Sequence, residues 1–210
     1  MKTKEIIILL IALIPIIILG IIWNELPNQV PMHWNSKGNI DRMGGKSELL
    51  FIILGLPMFL YLLMRFIPKI DPKKKIDVKD SQYLKLRLII QLFISLLMSY
   101  ILYMTKNPDT ADSNLIFALI GLGFSGLGWS FKGLKPNYFA GIRTPWTLEN
   151  PEVWTKTHEL ASKFWMGGGI LIFVLYFILK NSFIPFISIL ILITLIPVIY
   201  SYIEFKKIGK

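Results

Sequence analysis

The sequence predicts an all-α fold: a polytopic membrane helix bundle with six transmembrane helices and both termini in the cytoplasm. Three observations carry this reading. Of 210 residues, 54% are hydrophobic and only 17% charged, with a mean hydropathy of +0.58, where soluble domains carry about 25% charged residues. Six apolar runs, at 5–23, 49–67, 86–104, 114–131, 164–180 and 183–203, approach the ~20 residues needed to cross a hydrocarbon layer of ~30 Å. The 23 cations divide 18 to 5 between the two alternating sides of such a bundle, and by the positive-inside rule the richer side is cytoplasmic.

The first run follows a basic start, Lys2 and Lys4, and no small-residue cleavage pattern comes after it. It is therefore expected to stay as a helix rather than to leave as a signal peptide. Pro15, Pro57 and Pro197 lie inside runs and predict kinks, with neighbouring helices taking up the freed carbonyls.

The loop at 24–48 is expected outside and ordered. Pro27 and Pro31 keep it extended, Asn35–Gly38 reads as a turn needing a positive φ at the glycine, and Gly44-Gly45 is a second break. Glu25, His33 and Asp41 match no metal-binding spacing, so His33 and Asp41 are expected to hydrogen-bond within the loop.

The second loop and its borders hold Arg65, Lys69, Lys73, Lys74, Lys75, Lys79, Lys85 and Arg87. This is a solvated cytoplasmic face that meets anionic lipid. The net charge of +10 would suggest nucleic acid in a soluble chain. Here the cations flank apolar runs, so the lipid bilayer is the expected partner and direct nucleic-acid binding is not. In the fourth run Gly121 pairs with Ser125 and Gly126 with Ser130 in small-xxx-small spacing, which lets helix backbones approach. Gly167, Gly168 and Gly169 suggest a second close contact or a flexible start to the fifth run.

The fourth loop, KPNYFAGIRTPWTLENPEVWTKTH at 135–158, concentrates prolines, aromatics and hydroxyls between two apolar runs. Pro136 and Pro145 bar a continuous helix, while Gly133 and Gly141 permit tight turns. Asn150-Pro151-Glu152 is a helix start, with Asn at the cap, Pro in the first position and an acid in the first turn. From there Trp154, His158, Ala161 and Trp165 share one helical face. Tyr138, Trp146 and Trp154 suit the headgroup layer, and Arg143 offers a planar fork for a phosphate or carboxylate. The loop is expected to fold back as an ordered cytoplasmic cap.

Catalytic chemistry is not indicated. With no cysteine, disulfides, thiol catalysis and thiolate metal sites are excluded. His158-Glu159 lacks the second histidine of H-E-x-x-H, and His33 and His158 fall on opposite sides of the membrane. No ionisable residue lies well inside a span, which argues against a proton-coupled pump. No enzyme activity, cofactor or metal is expected.

The segment Lys135-Pro136-Asn137-Tyr138-Phe139-Ala140-Gly141-Ile142-Arg143-Thr144-Pro145-Trp146-Thr147-Leu148, followed by Trp154, Thr157 and His158, closely resembles the signature of the SdpI family. These are bacterial membrane proteins named for immunity to a sporulation-delaying toxin. The first loop, with Pro31, His33, Trp34, Asn35, Gly38 and Asp41, looks like the domain of unknown function that often precedes it. The resemblance implies a multi-pass cell-membrane immunity protein that shields a bacterium from a secreted, membrane-active peptide toxin. It also implies a cytoplasmic repressor as a signalling partner. It carries over no catalytic residues. The implied organisation is a two-helix unit at 1–67, a basic linker at 68–87 and a four-helix unit at 88–210. Two other classes stay open: a transporter or exporter of a small amphiphile or peptide, and a membrane metalloenzyme centred on His33 and Asp41.

Overall fold

Each apolar run folds as a helix, and most helices extend past the apolar stretch that seeds them. The computed structural model describes residues 2–71, 76–77, 80–179 and 183–208. The long helices are α1 (Lys2–Ile22), α2 (Lys46–Ile70), α3 (Ser81–Lys106), α4 (Leu115–Phe131), α6 (Pro151–Ile178) and α7 (Phe183–Ile208), with a short α5 (Pro145–Glu149) just before α6. Among the orienting cations, Lys73, Lys74, Lys75, Lys79, Lys180 and Lys210 lie outside the described residues.

Five helices, α1, α2, α3, α6 and α7, are long and apolar enough to cross a membrane. α4 is apolar but has 17 residues, about 25 Å of helix against a layer of ~30 Å. Helix length alone therefore supports five crossings where the hydropathy pattern gave six. Large side chains such as Ile21, Phe51, Phe177 and Ile184 point outward, as a lipid-facing surface requires.

The helical expectation needs one correction. The first loop is not merely ordered but forms an antiparallel hairpin, β1 (Gln29–Trp34) and β2 (Ile40–Gly45), after a 3-10 turn at Trp23–Glu25. The prolines keep β1 extended, and Gly38 turns the chain at φ +81. Val30 pairs with Gly44 and Trp34 with Ile40. Val30 is fully buried in a cluster with Leu19, Leu49, Ile53 and Leu102, so the hairpin is sealed onto that end of the bundle.

The prolines reveal how the helices are tied. A proline inside a helix leaves the carbonyl four residues earlier without its donor. Pro15 frees Ile11, whose carbonyl accepts from the Ser95 hydroxyl of α3 at 2.7 Å. Pro68 frees Met64, whose carbonyl accepts from the Tyr83 hydroxyl of α3. Pro197 frees Ile193, whose carbonyl accepts from the Trp165 indole of α6 at 2.9 Å. Each freed carbonyl is thereby bonded to a neighbouring helix in a medium that offers no water.

The glycines of α4 divide between two neighbours. A Cβ on Gly121 would stand 2.8 Å from the Gly169 carbonyl of α6, and one on Gly128 would stand 2.6 Å from the Met166 amide. Gly123 and Gly126 meet Phe93 and Ile89 of α3 instead. Gly169 belongs to a continuous helix and serves a close contact, so a flexible start there is not what the glycine run provides. The uncharged polar residues Gln91 and Ser95 are buried midway along α3. The buried charges Asp71, Arg87 and Glu204 lie at or near helix ends, where the half-buried Glu5 bridges Arg87 and Arg65.

Candidate functional site

The 133–158 segment closes into a hydrogen-bonded cap at the end of the bundle that also holds the α1 N-terminus and the start of α3. Gly133, at φ +76, turns the chain as α4 ends. Lys135 reaches Asp80, the residue capping α3, at 3.1 Å. After Pro136, the buried Asn137 folds the next turn: its Oδ1 accepts the amides of Phe139 (2.9 Å) and Ala140 (2.7 Å), and its Nδ2 donates to the Lys135 carbonyl (3.0 Å). Phe139 and Ala140 then pack on Met64, Ile67, Tyr83 and Leu86.

Gly141, at φ +103, brings the backbone onto His158. The Ile142 amide donates to His158 Nε2 at 2.9 Å, while Nδ1 stands 2.8 Å from the Trp154 carbonyl. An acceptor Nε2 leaves the proton on Nδ1, so this histidine is neutral and both nitrogens are used. Its ring stacks on Trp154 with centroids 4.0 Å apart. Trp154 is fully buried and donates from Nε1 to the Leu134 carbonyl at 2.7 Å. That corrects its expected place in the headgroup layer: it is the core post around which the loop wraps. Thr157 is fully buried beside it, and its hydroxyl has no partner among the described residues.

The second half of the loop is anchored to α7. Thr144 caps α5, with Pro145 in its first turn. The Thr144 amide donates to Thr147 Oγ1 at 2.9 Å, and that hydroxyl reaches the Ile142 carbonyl at 2.9 Å. The Trp146 indole donates to the Ser201 hydroxyl, and its ring packs against Tyr202 at 5.2 Å. Asn150 caps α6 through the amides of Glu152 (2.8 Å) and Val153 (3.2 Å), as its spacing predicts. Lys156 of α6 meets Glu204 of α7 at 3.2 Å. Arg143 is exposed and donates to the Tyr138 carbonyl at 2.5 Å, leaving the rest of its fork outward.

At this rim the carboxyl of Asp80, the cap of α3, is shifted from its ordinary range. Burial pushes its pKa up, but the Lys135 ammonium and the amides of Gln82 and Tyr83 outweigh burial and hold the carboxyl below its ordinary range.

The hairpin residues gather at the opposite end. His33 Nδ1 lies 2.6 Å from Asp41 Oδ1, in line with the sequence expectation. Asn35 Oδ1 accepts the amides of Lys37 (2.9 Å) and Asn39 (3.1 Å), shaping the turn that Gly38 completes. The Gly38 carbonyl accepts from Ser113 at 3.0 Å, which docks the hairpin on the α3–α4 connection. Pro31 is buried in β1. Trp34 lines a cleft of about 210 Å³ with Ile40, Met104, Pro108 and Ser113. Glu25 is paired with Lys106 at 2.5 Å rather than with His33. Among the described residues no group of three or more His, Asp or Glu side chains is placed to hold a metal ion.

The fold therefore brings together Asn137, Gly141, Thr144, Trp146, Trp154 and His158 in one cap. It separates them from His33 and Asp41. Sequence reasoning missed Asp80, Thr147 and Ser201. The Thr144-x-x-Thr147 spacing was a usable capping signal, whereas Ser201 lies too far along the chain to announce itself.

Two families match this chain on the two ends just described. The SdpI/YfhL protein family matches residues 133–201, and the Domain of unknown function (DUF1648) matches residues 10–57. The chain is 28% identical over 212 residues to "Immunity protein SdpI" of Bacillus subtilis (strain 168), covering 98% of each chain. No solved structure matches it. The apolar helices and these matches make it a multi-pass bacterial membrane protein that is similar to that immunity protein along nearly its whole length and to the SdpI/YfhL family over residues 133–201.

Proposed function

From a chain with the SdpI/YfhL match over its cap and last helices, we propose an integral membrane immunity protein that protects its cell from a secreted, membrane-active peptide toxin. The observation that carries this is the full-length similarity to an immunity protein, which takes in both rims of the bundle. The reading adds six crossings, α4 included, with the hairpin outside and the cap and both termini in the cytoplasm. The described cations support that direction: Lys4, Arg65, Lys69, Lys85, Arg87, Lys132, Lys135, Arg143, Lys156, Lys163, Lys206 and Lys207 lie toward the cap end, against Lys37, Arg42, Lys46 and Lys106 toward the hairpin end. A toxin arriving from outside first meets the hairpin and its cleft. The cap, with Arg143 exposed and the part-exposed Trp146 tying it to α7, is the part that a cytoplasmic repressor would meet.

The test is survival. A bacterium sensitive to a sporulation-delaying peptide toxin, and without its own immunity gene, is challenged with and without this chain. Protection that disappears with Trp146→Ala at unchanged membrane levels supports the reading. No protection by the wild-type chain overturns it. The rival class, a transporter of a small amphiphile, predicts flux of that amphiphile into proteoliposomes, which an immunity protein acting by sequestration does not require.

A further inference from the structure

The cap-end rim carries a built slot that the cap itself does not use. α1, α3 and α4 leave a groove of about 400 Å³ between them, walled by Ile7, Ile8, Leu84, Leu88 and Leu92. Along α3 its apolar wall runs from residue 84 to residue 92, about 12 Å at 1.5 Å per residue. Lys4, Ser81 and Lys85 stand at its mouth. Lys85 lies 4.0 Å over the half-exposed Trp129 ring, and Lys132 is near enough to repel it.

Many cations at this end are neutralised, and the lysines at the groove are not. At the same end Arg65 and Arg87 share Glu5, Lys135 has Asp80, and Lys156 and Lys207 share Glu204. Lys4, Lys85 and Lys132 have no carboxylate partner among the described residues. Two unneutralised ammonium groups, Lys4 and Lys85, stand at one end of an apolar furrow on a lipid-facing surface, with Lys132 close to Lys85. Such a mouth favours a negative headgroup, and the furrow accepts an acyl chain.

We propose that this groove is a binding site for one anionic phospholipid, with its phosphate at Lys4 and Lys85 and one acyl chain along Leu88 and Leu92. A zwitterionic lipid would place its own cation among three lysines and is disfavoured. General attraction to a basic rim would not depend on the furrow.

Native mass spectrometry of the purified full chain, given equal phosphatidylglycerol and phosphatidylcholine, separates these cases. One retained phosphatidylglycerol is expected, favoured over phosphatidylcholine by at least about tenfold. Lys4→Gln with Lys85→Gln should abolish the preference. Leu92→Trp, which fills the furrow and leaves every charge in place, should abolish retention. The charge-matched pair Lys69→Gln with Lys206→Gln, away from the groove, should retain the lipid. Equal retention of the two lipids by the wild-type chain overturns the proposal without any variant. Retention surviving in Leu92→Trp, or lost equally in the charge-matched pair, also overturns it.

Discussion

Gly141 turns its backbone onto the His158 ring, so that a methyl group at this position would collide with Nε2. Its φ of +103 is one that an L side chain adopts only under strain. Gly141→Ala should therefore cost roughly 1–3 kcal/mol, read as a lower thermal unfolding midpoint in detergent. An unchanged midpoint would mean the cap does not close on the histidine. His158→Phe keeps a ring against Trp154 but leaves the part-buried Ile142 amide without its acceptor, a loss of about 1 kcal/mol. The Trp154–His158 face was legible from their spacing of four. The amide that His158 serves was not, because nothing local in the sequence ties residue 142 to residue 158. Asp80 adds a pH dependence at the same rim. Its carboxyl is held low in the folded state, so its stabilisation is complete above its unfolded pKa of about 3.9 and fades as pH falls through the lower folded value. Lys135 is largely exposed, which limits the pair to about 0–1 kcal/mol. The midpoint difference between wild type and Asp80→Asn should shrink as pH falls from about 5 to 3; a constant difference would assign Asp80 a role independent of its charge.

Three helix pairs are tied by the same device: a proline on one helix and a donor on the next. Ser95, Tyr83 and Trp165 each take the carbonyl that Pro15, Pro68 or Pro197 releases. Such interhelical bonds average about 0.6 kcal/mol in membranes and reach about 1.7. Ser95→Ala and Tyr83→Phe should each lower stability by that order. Pro15→Ala returns an amide donor to Ile11, so Ser95→Ala should cost measurably less in that background. A double-mutant cycle in detergent reads the difference, and perfect additivity would show that the hydroxyl is not satisfying the proline's carbonyl. The freed carbonyls at Pro15 and Pro197 were visible in the sequence, since proline has no amide to give; Pro68 fell just outside the second apolar run. Their partners were not, because pairing Ser95 with Ile11 requires knowing that α1 and α3 are neighbours. The hairpin was half legible for a related reason. Pro31, Asn35 and Gly38 announced an ordered turn, but six-residue strands without clean alternation did not announce a sheet. Its register is held instead by Val30 in the core and by Ser113 on the Gly38 carbonyl.

At the scale of the whole molecule, two polar rims are held apart by an apolar bundle, and the remaining question is which rim faces the cytoplasm. Hydropathy located all six helices, because ~20 apolar residues leave few alternatives to a helix in lipid. It gives one crossing more than helix length alone supports, because α4 has only 17 residues. A 17-residue helix can still cross where the bilayer thins or flanking groups such as Lys132 extend toward the headgroups. If α4 crosses, the hairpin and the cap face opposite compartments; if it does not, the chain order places them differently. The absence of native cysteine makes the test direct, since any introduced thiol is the sole label. Ser36→Cys, in the hairpin turn, should react with an impermeant maleimide on intact cells. Glu149→Cys, at the end of α5, should react only after the membrane is opened. Labelling of Glu149→Cys on intact cells, with Ser36→Cys protected, would invert the orientation. Labelling of both on intact cells would place α4 as a helix that enters without crossing.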